Sequence, residues 1–335
     1  MTTPLRIGVL GAARITPMAL LRPARDVPEV TIAAVAARDP ARARAFAAKR
    51  GIARVHDSYE ALLADPELDA IYNPLPNSHH AEWSIRALEA GKHVLCEKPL
   101  AANAAEARRM AAAAAASGRR LIEAFHWRYH PLAARMKAIV DGGELGAIEH
   151  VEAAMSIPLV LPHDIRYRYD LAGGATMDVG CYTISIVRFL AGAEPEVVRA
   201  EARLAGPNVD RWMTADLRFA DGRSGCITGS LFSTSLVRLQ AIVRGTRGEM
   251  RVFNPVAPHF YHRVTVRAGG SVRRERVAGQ ATYTHQLRAF AEAVRSGAPA
   301  PTDPADSIAN MAVIDAVYDR AGLPRRGGAS TQGAA

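Results

Sequence analysis

Apolar and polar positions change rhythm partway along the chain. From residue 5 to about 126, short continuous apolar runs alternate with longer amphipathic stretches. Leu5–Leu10, Thr31–Ala37, Asp69–Tyr72, the run from His93 to Lys98 and Arg120–Phe125 read as strands, because a strand covered on both faces has no polar side to display. Helical stretches fill the gaps. One opens at Gly11–Thr16, and one follows Asp39-Pro40, with Asp39 as N-cap and Pro40 as first helical residue. Another runs to Gly91, and an alanine-rich one covers 101–117. This alternation gives a parallel, doubly wound sheet. Past residue 127, glycine pairs and alternating strands take over. Asp221-Gly222 and Gly269-Gly270 are hairpin signals between apolar flanks. An open, mainly antiparallel sheet is expected to about 280, then helices near 281–296 and 304–322 packing back on the first domain.

Composition adds bounds rather than chemistry. A chain of 335 residues suffices for two ordinary domains, and no apolar run approaches membrane-spanning length. The first strand begins at Leu5, leaving no signal peptide ahead of it. Cys96, Cys181 and Cys226 are an odd number without a Cys-x-x-Cys pair, which predicts reduced thiols and a cytoplasmic protein. The tail from Pro324-Arg325-Arg326 reads as disordered. The formal charge is +9, yet only Lys49, Lys92, Lys98 and Lys137 are lysines, so arginine supplies the other 38 of 42 basic residues. No helix-turn-helix, zinc finger or RNP-type aromatic strand accompanies the charge. It reads as arginine bias on solvated faces, not as a nucleic-acid surface.

The scarcity of lysine gives weight to Gly91-Lys92-His93-Val94-Leu95-Cys96-Glu97-Lys98-Pro99. It is a short buried strand that ends on a charged pair and is stopped by proline. Ligands of doubly wound sheets collect at the carboxyl ends of strands. An ammonium there offers a compact charge whose pKa burial can lower, as a guanidinium does not. A solvated Glu97/Lys98 ion pair is the plainer alternative. Upstream, the turn Gly11-Ala12-Ala13-Arg14-Ile15-Thr16 matches the dinucleotide fingerprint only at Gly11, with Ala13 and Thr16 at the second and third glycine positions. Backbone N–H groups of such a turn hold a pyrophosphate. The second strand ends in Ala37-Arg38, where an NAD enzyme places an acid for the ribose 2′-hydroxyl. Arginine suits a 2′-phosphate instead, so NADP is expected, with NAD as the alternative.

These pieces, with Pro76-Asn77-Ser78-His79-His80, together resemble the Gfo/Idh/MocA oxidoreductases over nearly the whole chain. The Tyr72-Asn73-Pro74-Leu75-Pro76-Asn77-Ser78 loop and the Phe125-His126-Trp127-Arg128-Tyr129-His130-Pro131 crossover are similar to the branch of dimeric dihydrodiol dehydrogenase, D-xylose dehydrogenase and glucose–fructose oxidoreductase. The resemblance implies an α/β chain: a Rossmann domain over 1–126, an α+β substrate and dimerisation domain over 127–322, and a disordered tail over 323–335. It implies cofactor contacts from Gly11, Ala12, Ala13, Arg14, Ile15, Ala37, Arg38, Asn73, Pro74, Leu75, Asn77, His80, Glu97 and Lys98. The family's aligned histidine falls on His80; His79 stands where an aliphatic residue is usual, and the branch commonly has serine at Ala37. A carbohydrate or diol substrate is implied too, with a homodimer or homotetramer formed through the C-terminal sheet and no membrane partner.

In the second half, Gly173-Gly174-Ala175-Thr176-Met177-Asp178-Val179-Gly180-Cys181-Tyr182 carries the chemistry. Asp178 and Tyr182 are four apart and would share a helix face. A helix tyrosine packing on Ile186 is the alternative, but the resembled branch has tyrosine at this catalytic position. Oxidising a secondary alcohol needs a base for the hydroxyl proton. A free phenol, pKa about 10, is a poor one until a nearby ammonium stabilises the phenolate. Tyr182 is therefore expected as acid/base and Lys98 as its electrostatic partner, roles that sequence alone leaves exchangeable. Asp178 would bind a neighbouring substrate hydroxyl or orient Lys98, and Arg128, His130 and Arg166 are further substrate-pocket candidates.

Other chemistries fit less well. His126 and His130, and the adjacent His79 and His80, lack an acid or cysteine at ligand spacing, so no metal is expected. There is no Gly-x-Ser-x-Gly elbow. A non-catalytic dinucleotide-sensing regulator would be expected to lose the lysine or its partner, and this chain keeps both. An enzyme cycling two sugars on permanently held NADP would want an N-terminal arm that the sequence does not show.

Overall fold

The computed structural model describes residues 3–161, 163–232 and 237–327. It forms two compact units, one made of residues 1–101, 105–129 and 280–307, the other of 102–104, 130–279 and 308 onward. In the first, β1 (Leu5–Leu10), β2 (Val30–Ala36), β3 (Arg54–His56), β4 (Ala70–Asn73), β5 (His93–Cys96) and β6 (Leu121–Glu123) pair in the order β3-β2-β1-β4-β5-β6. Every pairing is parallel. The order reverses between β1 and β4, which is the switch point where such sheets bind ligands. Helices α1 (Pro40–Arg50), α2 (Tyr59–Leu63), α3 (His80–Glu89) and α4 (Ala104–Ser117) make the connections. Asp39 caps α1 as expected, its Oδ1 accepting from Ala41 N at 2.9 Å.

Two local expectations shift. The helix after Gly11 starts only at Pro17 and is split, into a π-turn at Pro17–Leu21 and a 3-10 turn at Pro23–Asp26. Pro23 has no N–H with which to continue the first piece. Neither β3 nor α2 was foreseen: Arg54-Val55-His56 is too short and polar to show as an apolar run.

The second unit holds α5 (Pro131–Asp141), β7 (Ile148–Ser156), α6 (Cys181–Ala191), β8 (Glu196–Gly206), β9 (Val209–Arg218), β10 (Ser224–Ser230), β11 (Arg238–Gly245), β12 (Gly248–Phe253), β13 (Arg263–Ala268) and β14 (Ser271–Glu275). The eight strands order as β14-β13-β12-β11-β7-β10-β9-β8. All pairs are antiparallel except β10 with β7. Both glycine hairpins fall where the sequence put them, between β9 and β10 and between β13 and β14. Helix α6 is buried along nearly its whole length, as its apolar sequence requires.

Of the last two helices, α7 (Thr282–Ser296) behaves as expected. Its Tyr283, Leu287 and Phe290 join Ile7, Val9, Tyr72 and Leu95 in the first unit's core. From Ile308 onward α8 (Pro304–Arg320) belongs instead to the second unit. Its Tyr318 donates to Asp210 Oδ1 at 3.0 Å. The expected disorder over 323–335 also needs correcting. Residues 323–327 are described, and Arg326 is fully buried against Asp210, 116 positions earlier. That distance hid it from a local reading of a basic, glycine-flanked tail. The remainder of the tail, 328–335, lies outside the described residues.

Candidate active site

At the switch point, Gly11 turns the chain with φ +82°, a conformation that glycine adopts without strain. Its N–H donates to Ala36 O at 2.7 Å. A Cβ on Gly11 would stand 3.1 Å from Leu75 Cδ2 and 3.6 Å from the Tyr59 hydroxyl, so the loop after β4 lies across the turn after β1. Ala12, Ala13 and Ile15 are half-buried and Arg14 is exposed. Thr16 is fully buried, and its hydroxyl has no hydrogen-bond partner. Just past β2, Ala37 is buried and Arg38 exposed, with no acid at this strand end. Tyr59 joins them, a residue that the sequence reading passed over. Burial raises its phenol above the usual range, while the Arg38 N–H and guanidinium and Arg42 pull it down. Its ring packs edge-on against Trp83 at 4.8 Å.

The loop after β4 is held by its own polar groups. Asn73 Nδ2 donates to Ser84 Oγ at 3.0 Å and to His80 O at 3.2 Å, and its Oδ1 accepts from Leu75 N. The fully buried His80 ring sits between Pro99 O (2.9 Å) and Leu75 O (2.8 Å). Burial pushes its pKa down to about 4, against the two carbonyls that favour the proton. Pro74 is buried; Leu75 and Asn77 are half-buried. After β5, Glu97 accepts the Tyr72 hydroxyl at 2.7 Å and the Lys98 N–H at 3.3 Å. Burial and the Glu97 charge hold the Tyr72 phenol well above its ordinary value. Lys98 is half-buried and precedes a cis bond to Pro99. Lys92 differs from it: buried, its Nζ donates to Asp65 O and Leu68 O at 2.7 and 2.8 Å, a structural use of a scarce residue. Arg128 reaches Pro301 O at 3.4 Å and lies over the Trp127 ring.

In the second unit, Gly173 and Gly174 enter a π-turn at Thr176–Gly180 that runs into α6. Asp178 sits in that turn and Tyr182, 5 % exposed, in the first turn of α6, so a π-turn replaces the plain helix expected. Gly174 has φ +132°, and a Cβ there would fall 2.2 Å from Asp210 Oδ1. Only glycine fits. Arg166, a candidate from sequence, meets Asp178 Oδ2 through Nε at 2.9 Å and Asp164 Oδ1 through Nη1 at 3.1 Å. The two acids raise its pKa further, Asp178 foremost. His130 is buried and caps α5, its Nδ1 accepting from Leu132 N at 3.1 Å. Among the described residues, no group of three His, Cys, Asp or Glu side chains could hold a metal ion, and no helix is long and apolar enough to cross a membrane.

Comparison with known proteins agrees with this geometry. Residues 5–125 match the Gfo/Idh/MocA model described as an oxidoreductase family with an NAD-binding Rossmann fold, and residues 133–251 match the Gfo/Idh/MocA C-terminal domain. A D-xylose 1-dehydrogenase (NADP(+)) of Haloferax volcanii is 38% identical over 94% of this chain and 96% of its own. A trans-1,2-dihydrobenzene-1,2-diol dehydrogenase of Xenopus tropicalis is 31% identical over 66% of each. The crystal structure of a 3-ketoreductase from Actinomadura kijaniata with NADP and TDP-benzene superposes with a TM-score of 0.88 at 32% identity, covering 95% of this chain and 98% of that one. That enzyme has also been crystallised with one tyrosine changed to phenylalanine and with one lysine changed to alanine.

Proposed function

The chain belongs to the Gfo/Idh/MocA oxidoreductases, and on that premise we propose that it moves hydride between NADP and a secondary alcohol or ketone of a sugar, cyclic polyol or trans-dihydrodiol. The main support is one sheet edge: the Gly11 turn after β1, the acid-free end of β2 followed by Arg38, and Lys98 after β5. The residues fit the cofactor. Backbone at Gly11–Ile15 and the partnerless Thr16 hydroxyl suit a pyrophosphate, and Arg38 with Tyr59 suits a 2′-phosphate. Leu75, Asn77, Glu97 and Lys98 are assigned to the remaining cofactor surface, while Asn73, Pro74 and His80 shape the loop that carries Leu75. When bound, the nicotinamide gives or takes the hydride.

Tyr182 is assigned the hydroxyl proton, Lys98 the positive charge that makes its phenolate accessible. Arg166 and Asp178, already paired, orient a neighbouring hydroxyl. Arg128 and His130 lend framework: one lies over Trp127, the other caps α5. The lysine and tyrosine substituted in the A. kijaniata enzyme lie 84 positions apart, as residues 98 and 182 do here. Tyr182→Phe should keep NADP binding and lose roughly two to four decades of turnover, the size of a general-base contribution. Lys98→Ala should lose as much. Absorbance of the nicotinamide in a screen of sugars and diols, D-xylose first, is the assay; parental turnover by Tyr182→Phe would remove Tyr182 from the chemistry. We further propose a cytoplasmic protein, from its free thiols, assembled as a dimer or tetramer through the eight-stranded sheet. Cell fractionation and light scattering test these two points; export or a monomer at micromolar concentration refutes them.

A further inference from the structure

Asp210 and Arg326 are both fully buried and paired at 2.8 Å. Neither belongs to a motif read from the sequence, and both converge on the turn that leads into Tyr182. Asp210 Oδ2 accepts the backbone N–H of Thr176 at 2.7 Å and its hydroxyl at 2.6 Å. Arg326 Nε donates to Gly173 O at 2.7 Å, and its guanidinium lies over the Tyr318 ring at 4.1 Å. Gly174 lies against the pair, with room there for no side chain. Its carbonyl accepts the Asp178 N–H at 3.0 Å, and its own N–H donates to Arg166 O at 2.8 Å. The backbone holding the ion pair is thus the backbone bonded to Asp178 and Arg166.

We infer that Asp210 and Arg326 are positioning residues for the reaction, a clamp that orients the Gly173–Tyr182 turn so that Asp178 and Tyr182 face their substrate. This rests on the assignment of Tyr182 as acid/base. A guanidinium suits this place because its planar fork spreads separate donors toward Gly173 O, Pro324 O and the Asp210 carboxylate in fixed directions. Lysine also has donors enough for two acceptors, but all on one nitrogen, so it would hold carboxylate and carbonyl with less directional control.

Arg326→Lys in the full-length protein is the first test, because it keeps the buried charge and so the fold; Arg326→Gln combined with Asp210→Asn is the second, replacing the pair without an orphan charge. Both are assayed on the substrate that the parent turns over in the screen above. Each should lower kcat at least fivefold with an unchanged KM for NADP. The pH dependence of kcat should shift as well, because the proton-transferring group is displaced, and the lysine variant should be the less impaired. A folded Arg326→Lys protein with the parent's kcat and pH profile, merely melting lower, makes the pair structural and overturns the inference. If Tyr182→Phe turns over at the parental rate, the acid/base assignment fails instead, and the two failures are told apart.

Discussion

The two candidate sites are built in opposite ways. On the first unit's sheet edge, polar groups hold residues close in sequence: Asn73 meets His80 and Ser84, and His80 meets Leu75 and Pro99. Arg14 and Arg38 are left exposed. In the second unit, the turn carrying Asp178 and Tyr182 is fixed from far along the chain, by Asp210, Tyr318 and Arg326. A surface that must accept and release a cofactor gains from short local bonds and open cations. A group that transfers a proton gains from a backbone it cannot leave, because misplacement by about 1 Å can cost a hundredfold in rate.

The contrast should show most strongly in stability. Asp210→Ala strands a buried guanidinium and two donors on Thr176, and removing one partner of a buried pair costs about 3–5 kcal/mol. Gly174→Ala should approach that loss, since its methyl would overlap the Asp210 carboxylate. Denaturant titration reads both. Arg14→Ala, exposed on the first unit, should change stability by less than about 0.5 kcal/mol. A tolerant Asp210→Ala would dissolve the distinction between the two regions.

This contrast also explains what the sequence could reveal. The parallel sheet, the Asp39 cap and the two glycine hairpins are local, and apolar runs and turn residues announced them. Lys98 and Tyr182 stood inside contiguous motifs. Arg166 was a weak candidate among 38 arginines; its pairing with Asp178 is what distinguishes it. Tyr59 was missed because it opens α2, a five-residue helix too short to show a periodicity, just after the short polar strand Arg54–His56. The Asp210–Arg326 clamp was missed because a buried ion pair across 116 residues leaves no periodicity, and because a tail rich in Arg and Gly reads as solvated. Lysine scarcity pointed in two directions, to Lys98 and equally to Lys92, whose ammonium only ties down two carbonyls.

Protonation of the first unit's buried histidine gives a smaller effect. The folded His80 ring titrates near 4, below its ordinary 6.5. Between those values the unfolded chain binds the extra proton, so stability is intact above pH 6.5 and falls as pH drops toward 4. At about 1.4 kcal/mol per unit, moving from pH 7 to pH 5 should remove roughly 2 kcal/mol. His93, also lowered to about 4 but more open to solvent, adds in the same direction. His80→Gln should flatten part of this slope in urea titrations at the two pH values. An unchanged slope would mean that the ring accepts its proton in place.

The smallest effect expected is on cofactor choice, and it is the sharpest probe of the open sheet edge. Ala37 leaves no carboxylate to receive a ribose 2′-hydroxyl, and Arg38 follows it with an exposed guanidinium. A charge-assisted contact to a 2′-phosphate at such an exposed place is worth about 1–2 kcal/mol, or about tenfold in affinity. Calorimetric titration should find NADP bound more tightly than NAD, and Arg38→Ala should weaken NADP about tenfold while leaving NAD unchanged, because only NADP carries the phosphate. The advantage should shrink with added salt, since solvent-exposed charges are screened within about 8 Å at physiological ionic strength. Melting temperature should not move, in contrast to every substitution at the Asp210 clamp. Equal loss for both cofactors would assign Arg38 to the shared part of the dinucleotide, and tighter NAD binding by the parent would reverse the preference argued from the end of β2.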